Sequence, residues 1–484
     1  METNFSAYQT PQFRVLSDRQ IERLVQATLE CMNRTGLLIH NAEARELLSR
    51  AGARVDGELV HIPAHIIQDA IASNPRSFTI WGREDKYRMQ LVPDRVHFGP
   101  GPTCTYFVDP DSGEMHRTRR EDPGLTAKVC DALENIDYVM SLGLIDDVTS
   151  RLAPVYEFAE MIANTGKPVL AWGYTPENVS DIYQIALAVA GSEQAFRERP
   201  FMAFFSTYQS PLVQTDEDLA NVLWAVERDI PVVYLGGGCA GSSAPITGAG
   251  TLVISLAGAL CGLAIMQLKK RGAPVCIGSV PEAMDLRTAR PPYGGPEMSL
   301  FSAALADVCR YLGLPFMGTA GASEAKVLDL QAAIESSIQV LLSGLSGASM
   351  VHDVGFLDCA QIGSLDMLVM NDEIIAMTKR ILRGIEISDD TLMLDLIDQI
   401  GPGGEYMSSP ETAKRCRIEI WNPKLMDRQP YDNWLAAGGK TMNDRIHARV
   451  KKILATHQPP PLPQGASEKI EAILQAAEAR LVAN

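Results

Sequence analysis

PFMGTAGASEAKVLDLQAAIESSIQVLLSGLSGASMVHDVGFLDCA, residues 315–360, is the stretch whose reading decides the fold. A short apolar run follows Pro315, a glycine-rich loop comes next, and 329–345 carries apolar residues at helical spacing. After Gly344 and Gly347 a second apolar run ends in His352-Asp353. Strand, loop, helix and strand make one βα repeat of a parallel sheet. In a barrel of such repeats the chemistry sits where the strands end, and His352 falls there. It is also the only histidine between His116 and His447.

Outward from this repeat the same unit recurs. Strand ends are expected at 97–106, 138–144, 168–173, 201–208, 231–236, 274–280, 315–319 and 348–354. Helical patterns fall at about 121–135, 154–164, 177–190, 216–228, 249–271, 297–312, 329–345 and 366–383. Proline directly precedes several strands (Pro168, Pro200, Pro231, Pro274, Pro315), marking the helix-to-strand corner. A doubly wound open sheet would use the same units, but eight alternations are the count of a (β/α)8 TIM barrel, here over 96–383. Residues 1–95 read as N-terminal accessory helices (17–34, 42–50, 64–72) and a strand pair (77–91) laid on the barrel's outside. Residues 384–484 read as a C-terminal extension, with helices at 389–400, 441–456 and 467–482 and a stiff PPPLP break.

A net charge of −16, spread without long runs, argues against nucleic acid and anionic membrane as partners. The nine cysteines form no CxxC or paired spacing, which suits reduced thiols in the cytoplasm. The opening METNFSAYQTPQFRVLSDRQ has no apolar signal core and is expected to be no targeting segment. Residues 251–268 hold no charge, yet Ser255, Gln267 and several small residues point to a buried barrel helix at a homodimer contact rather than a membrane span.

GGGCAG at 236–241 matches GxGxxG after the apolar run VVYL. A dinucleotide site would need a helix at the third glycine and an acid about 20 residues on. Pro245 and the acid-free 251–268 supply neither. Gly236, Gly237 and Gly238 are instead expected to form a side-chain-free wall against a large ligand. Cys239, Cys276 and His352 could converge as zinc ligands, but Cys276 lies early in its strand and no HExxH occurs. Tyr106, Trp172, Tyr174, Tyr208 and Phe356 fall at or just past strand ends, in a chain only 6% aromatic. Ring faces attract cations, a quaternary ammonium above all, while His352 and Gln209 could meet a carboxylate. Few lysines or arginines lie at strand ends, which argues against a phosphorylated substrate.

GTAGASEAKVLDLQAAIE (318–335), GASMVHDVGFLD (347–358), GPGGEYMSSPETAKR (401–415) and PKLMDRQPYDNW (423–434) together resemble the trimethylamine methyltransferase superfamily. The resemblance runs from WGRED near residue 81 to about 455. It implies a (β/α)8 enzyme that moves a methyl group from an amine to the Co(I) of a corrinoid (cobalamin) carried by a cognate corrinoid protein. The trimethylamine-specific branch carries pyrrolysine, and this chain has only standard residues. It resembles the branch without pyrrolysine, which demethylates glycine betaine, proline betaine, carnitine or butyrobetaine. On that expectation His352 and Gln209 bind the carboxylate, and Trp172, Tyr106, Tyr208 and Phe356 surround the ammonium. Two other expectations stay open: a zinc-dependent corrinoid methyltransferase with another donor, and a catalytically silent betaine-binding barrel.

Overall fold

Prolines at the strand entries force extended backbone there, and the apolar runs behind them line up side by side. His97–Phe98, Val169–Ala171, Met202–Thr207, Val232–Leu235, Val275–Gly278, Phe316–Thr319 and Met350–His352 form one all-parallel sheet of seven strands. His97–Phe98 lies beside Met350–His352, and the remaining strands follow in descending chain order. These strands are buried almost throughout, as parallel strands covered on both faces must be. Helices Ala153–Ala163, Pro176–Ala190, Asp216–Glu227, Gly248–Lys269, Pro296–Leu312 and Leu330–Ser346 separate or flank successive strands. Leu365–Leu382 follows the last strand, and Asp122–Ala132 the first. The protein is thus an α/β fold. The computed structural model describes residues 11–92 and 95–483. The first ten residues of the stretch expected to hold no targeting signal lie outside the described residues.

The two edges of the sheet approach each other at residues 137–139. There the Asp137 N–H donates to the Phe98 carbonyl (2.7 Å), and Val139 pairs in parallel with Val169. Side chains supply the rest of the contact. The Phe98 N–H donates to the Asp137 carboxylate (2.9 Å), and the Tyr138 hydroxyl donates to the Val351 carbonyl (2.9 Å). Lys379 Nζ, on Leu365–Leu382, stands 3.2 Å from Asp137 Oδ2. Burial raises the Asp137 pKa, but Lys379, His97 and the Phe98 N–H outweigh it and hold the carboxyl well below its usual range.

Part of the expected accessory layer is not outside at all. Hairpin Phe78–Trp81/Arg88–Leu91 sends Ile80, Met89 and Leu91 into the sheet's inner cluster, against Tyr138, Leu170, Ala203, Val233, Cys276, Met317 and Met350. It plugs the end where strands begin, which leaves their C-terminal ends for a site. Helices Asp18–Arg34, Ala42–Arg50 and Ala64–Ser73 do pack outside, on Gly248–Lys269. That helix is the one among the described residues long and apolar enough to cross a membrane, and 78% of its apolar window is buried within the chain. Most of its apolar surface is therefore buried against the chain's own elements. In the extension, 389–400 is broken into Asp389–Leu392 and Leu394–Ile400 at Met393, whose φ is +53°. Met442–Thr456 returns onto Leu365–Leu382, and Ala466–Ala483 onto Pro176–Ala190.

Asp137→Ala strands a buried lysine, so it should destabilise the fold at pH 7 by about 3–5 kcal/mol. Because the folded carboxyl is depressed, its contribution is present above the unfolded value of about 4 and is lost as pH falls. Urea unfolding of both proteins checks this: their midpoints should differ widely at pH 7 and converge on acidification.

Candidate active site at the strand ends

Along each strand alternate residues face inward, which carries His352 into the interior two residues beyond Met350. Thr319 sits opposite His352 in the ladder. His352 Nδ1 lies 3.0 Å from the Gly318 carbonyl, an acceptor only, so Nδ1 bears hydrogen and Nε2 is the free ring atom. Nε2 is 3.6 Å from Asp353 Oδ1, and Thr319 Oγ1 donates to Asp353 Oδ2 at 2.5 Å. Asp353 has φ +77°, and a Cβ on Gly101 would fall 2.6 Å from its Oδ1. Burial raises the Asp353 carboxyl, against the pull of His352 and the Thr319 hydroxyl.

Glu282 enters the same region from the loop after Val275–Gly278. Burial, then the negative charge of Asp353, push its carboxyl up to about 7, with the Tyr293 hydroxyl opposing and Glu324 adding. Among the described residues no lysine or arginine pairs with Asp353 or Glu282. Two carboxyl groups with no paired lysine or arginine among the described residues make a region that favours a positively charged guest.

The glycine triplet explains how Glu282 gets there. The Val280 N–H donates to the Gly236 carbonyl (2.7 Å), the Glu282 N–H to Gly238 (3.1 Å), and Cys239 then pairs with Glu282 in parallel. A Cβ on Gly237 would lie 1.9 Å from the Val280 carbonyl oxygen; at 236 it would meet Tyr208, and at 238 Ala244. The wall expected to face a large ligand is therefore occupied by the chain itself, and it serves to hold Glu282.

The other expected residues divide. Trp172 packs against the inner cluster, edge-on to Tyr174 with ring centres 4.8 Å apart. Tyr106 and Phe356 share a small sheet, Phe356–Leu357, Ile362–Gly363, Tyr106–Val108 and Met115–Arg117, beside the strand ends. Phe356 is fully buried, and its ring approaches Gly101 next to Asp353. Tyr208 is not brought to the region: its ring lies under Gly258 of Gly248–Lys269 and its hydroxyl donates to the Ser255 carbonyl (2.7 Å). Being one residue beyond inward-facing Thr207, it points to the opposite face. Gln209 is exposed, its main chain paired with Val213. Cys239, Cys276 and His352 do not form a ligand set; among the described residues no group of three or more histidine, cysteine or acidic side chains could hold a metal ion. Asp353, Glu282 and the inward-facing Phe205, whose ring centre is 6.2 Å from that of His352, were missed by sequence reasoning. Asp353 alone had a signal, standing beside His352 at a strand end.

Residues 2–481 match the model of the family described as trimethylamine methyltransferase (MTTB). The chain belongs to the trimethylamine methyltransferase family. It is 32% identical over 467 residues to trimethylamine methyltransferase MttB of Desulfitobacterium hafniense (strain DSM 10664 / DCB-2), covering 96% of this chain and 93% of the relative. It is 27% identical over 468 residues to a glycine betaine methyltransferase of Desulfitobacterium hafniense (strain Y51), covering 96% and 97%. In fold it is similar to the crystal structure of the Methanosarcina barkeri monomethylamine methyltransferase MtmB, with a TM-score of 0.55 at 10% identity, covering 92% of this chain and 88% of that one. Family membership identifies the chain as a methyltransferase.

Gly237→Ala drives a methyl into the Val280 carbonyl, and such overpacking costs about 1–3 kcal/mol. The variant should melt at a lower temperature, and its affinity for a cationic ligand should fall as Glu282 shifts. Unchanged melting would show that the 236–238 and 280–282 segments are not in contact.

Proposed function

We propose that this chain moves a methyl group from a quaternary amine of the betaine type to a corrinoid presented by a partner protein. One observation carries the choice of a cationic donor: Asp353 and Glu282 lie at the strand ends with no lysine or arginine paired to either among the described residues. The name of the glycine betaine relative supports the same donor class. On this reading 137–139 completes a (β/α)8 barrel over 96–383, flanked by the 1–95 layer and the 384–484 extension. The reading also takes the chain as cytoplasmic, free of nucleic acid and membrane, and as a homodimer.

The loops after the strands carry exposed Ile246, Leu286, Val327 and Leu330, an apolar rim that suits a corrinoid protein closing over the site. The reduced corrinoid supplies the nucleophile. The chain's own residues hold and aim the donor. A quaternary nitrogen has no lone pair and no N–H, so charge and ring faces must hold it. Asp353 and Glu282 supply the charge, and Trp172 and Phe205 supply rings. His352 Nε2, the ring atom not engaged by Gly318, is placed for the donor's carboxylate when protonated. The departing group is a neutral tertiary amine that keeps the electron pair of the broken N–C bond. No acid is needed to expel it, so alignment and exclusion of water are what the protein contributes.

An anaerobic assay with free cob(I)alamin, offering glycine betaine, proline betaine, carnitine and trimethylamine separately, should form methylcobalamin with a betaine. Transfer from trimethylamine alone would overturn the donor assignment. His352→Ala should weaken betaine binding about tenfold or more, the value of a charge-assisted hydrogen bond.

Cation binding should also release protons. Glu282 stands near 7 in the empty site, and a nearby positive charge lowers a carboxyl pKa. Titration of glycine betaine calorimetrically at pH 7, in buffers of differing ionisation enthalpy, should show proton release that Glu282→Gln abolishes. Equal heats in all buffers would remove Glu282 from the site.

A further inference from the structure

Among the described residues Glu157 has no cation to balance it, and it has no place in the proposed chemistry, yet it lies wholly buried on Ala153–Ala163. Its Oε2 accepts from the Trp172 indole N–H at 2.8 Å, and its Oε1 accepts from the Ile145 N–H at 3.1 Å. Charged neighbours are engaged elsewhere: Glu160 with Arg120, Asp146 with Arg117, Asp181 with Arg480, Glu478 with the Tyr156 hydroxyl, and Lys167 with three main-chain carbonyls. Burying an unpaired carboxyl is expensive unless it is hydrogen-bonded. Packing alone does not call for one, since leucine would fill similar space. Trp172 is the partner that gives the carboxyl a purpose, because the indole N–H is a donor that buried surroundings must satisfy.

We propose that Glu157 is a positioning residue for the ammonium-binding ring. By holding the indole edge it fixes the plane of Trp172, to which the Tyr174 ring stands nearly perpendicular. An acceptor on the N–H also leaves more electron density on the ring, which strengthens its attraction for a cation. Burial, chiefly, pushes the Glu157 carboxyl up to about 8, against the hydrogen bonds from Trp172 and Ile145. At neutral pH the group is therefore an uncharged acid that retains an acceptor oxygen for the indole. A glutamine has the same acceptor, a leucine has none.

This inference rests on the proposed quaternary-amine site, and the experiment separates the two. The full chain and its Glu157→Gln, Glu157→Leu and Trp172→Phe variants are titrated with tetramethylammonium and with glycine betaine by calorimetry. Glu157→Gln should bind within about twofold of the parent, while Glu157→Leu should lose about tenfold in affinity, the size of a desolvated cation–π contact. In the Trp172→Phe background Glu157→Leu should add nothing, because the two act through one contact. If Glu157→Leu costs as much without the indole as with it, or if glutamine fails to rescue, the positioning role is overturned. If Trp172→Phe binds both ligands normally, or the parent binds neither, the ammonium site itself is misplaced and this inference falls with it.

Discussion

The sheet's weakest seam governs the rest of the molecule. Parallel strands are stabilised by ladders buried on both faces, and an unpaired edge inside an α/β fold leaves costly orphan donors and acceptors. Between His97–Phe98 and Val169–Ala171 the ladder is reduced to one main-chain bond from Asp137 to Phe98 on one side and the two that Val139 shares with Pro168 and Leu170 on the other. The Asp137 carboxylate and the Tyr138 hydroxyl substitute for missing ladder bonds, and Lys379 balances the buried charge. An ion pair there has a geometric consequence that a hydrophobic contact would not have. It fixes residues 137–139 against both neighbours, and so fixes the distance between His97–Phe98 and Val169–Ala171.

That geometry reaches the site because the interior is filled from one end. The Phe78–Trp81/Arg88–Leu91 hairpin occupies the strand-start end, and the layer of Tyr138, Leu170, Val233, Met317 and Met350 above it is buried and almost wholly apolar. Whatever polar chemistry the interior holds must therefore lie at the strand C-terminal ends, where His352, Asp353 and Trp172 emerge. The loops after those strands are knitted to one another rather than left free. The 236–238 glycines accept the backbone of 280–282, and Glu282 arrives at a defined position although it lies on a loop.

Much of this was legible in the chain, and the reasons differ by element. Strands such as VCIG and FMGT show themselves because double burial leaves only apolar residues and proline marks their entry. His352 was found because strand ends are where such folds place their chemistry. Tyr208 was misplaced by a single residue of phase: strand periodicity is two, so one step past Thr207 sends a ring to the helix layer. The glycine triplet was read as facing a ligand because sequence cannot distinguish a ligand's close approach from a neighbouring loop's. Glu282 and Glu157 could not be found at all. One sits in a loop without pattern, the other among apolar residues on a helix, and only burial in three dimensions makes a glutamate unusual. Alternation reports which residues are buried, not what buries them, so the sequence alone places the hairpin plug in an outer layer.

The acid pair also bears on how such a site can be catalytic rather than merely adhesive. As a methyl group leaves a quaternary nitrogen, the positive charge on that nitrogen declines, so a fully ionised pair would stabilise the bound donor more than the transition state. Interactions stronger in the ground state lower the rate of the chemical step. Burial raises both carboxyls, Glu282 to about 7, so Glu282 presents a reduced negative charge at neutral pH. Ring faces, whose attraction for a cation is weaker than that of a carboxylate, carry more of the binding. As the N–C bond breaks, the fixed positive charge on the donor nitrogen is lost and a lone pair takes its place, so the product's hold on the site depends on protonation in a way the donor's did not.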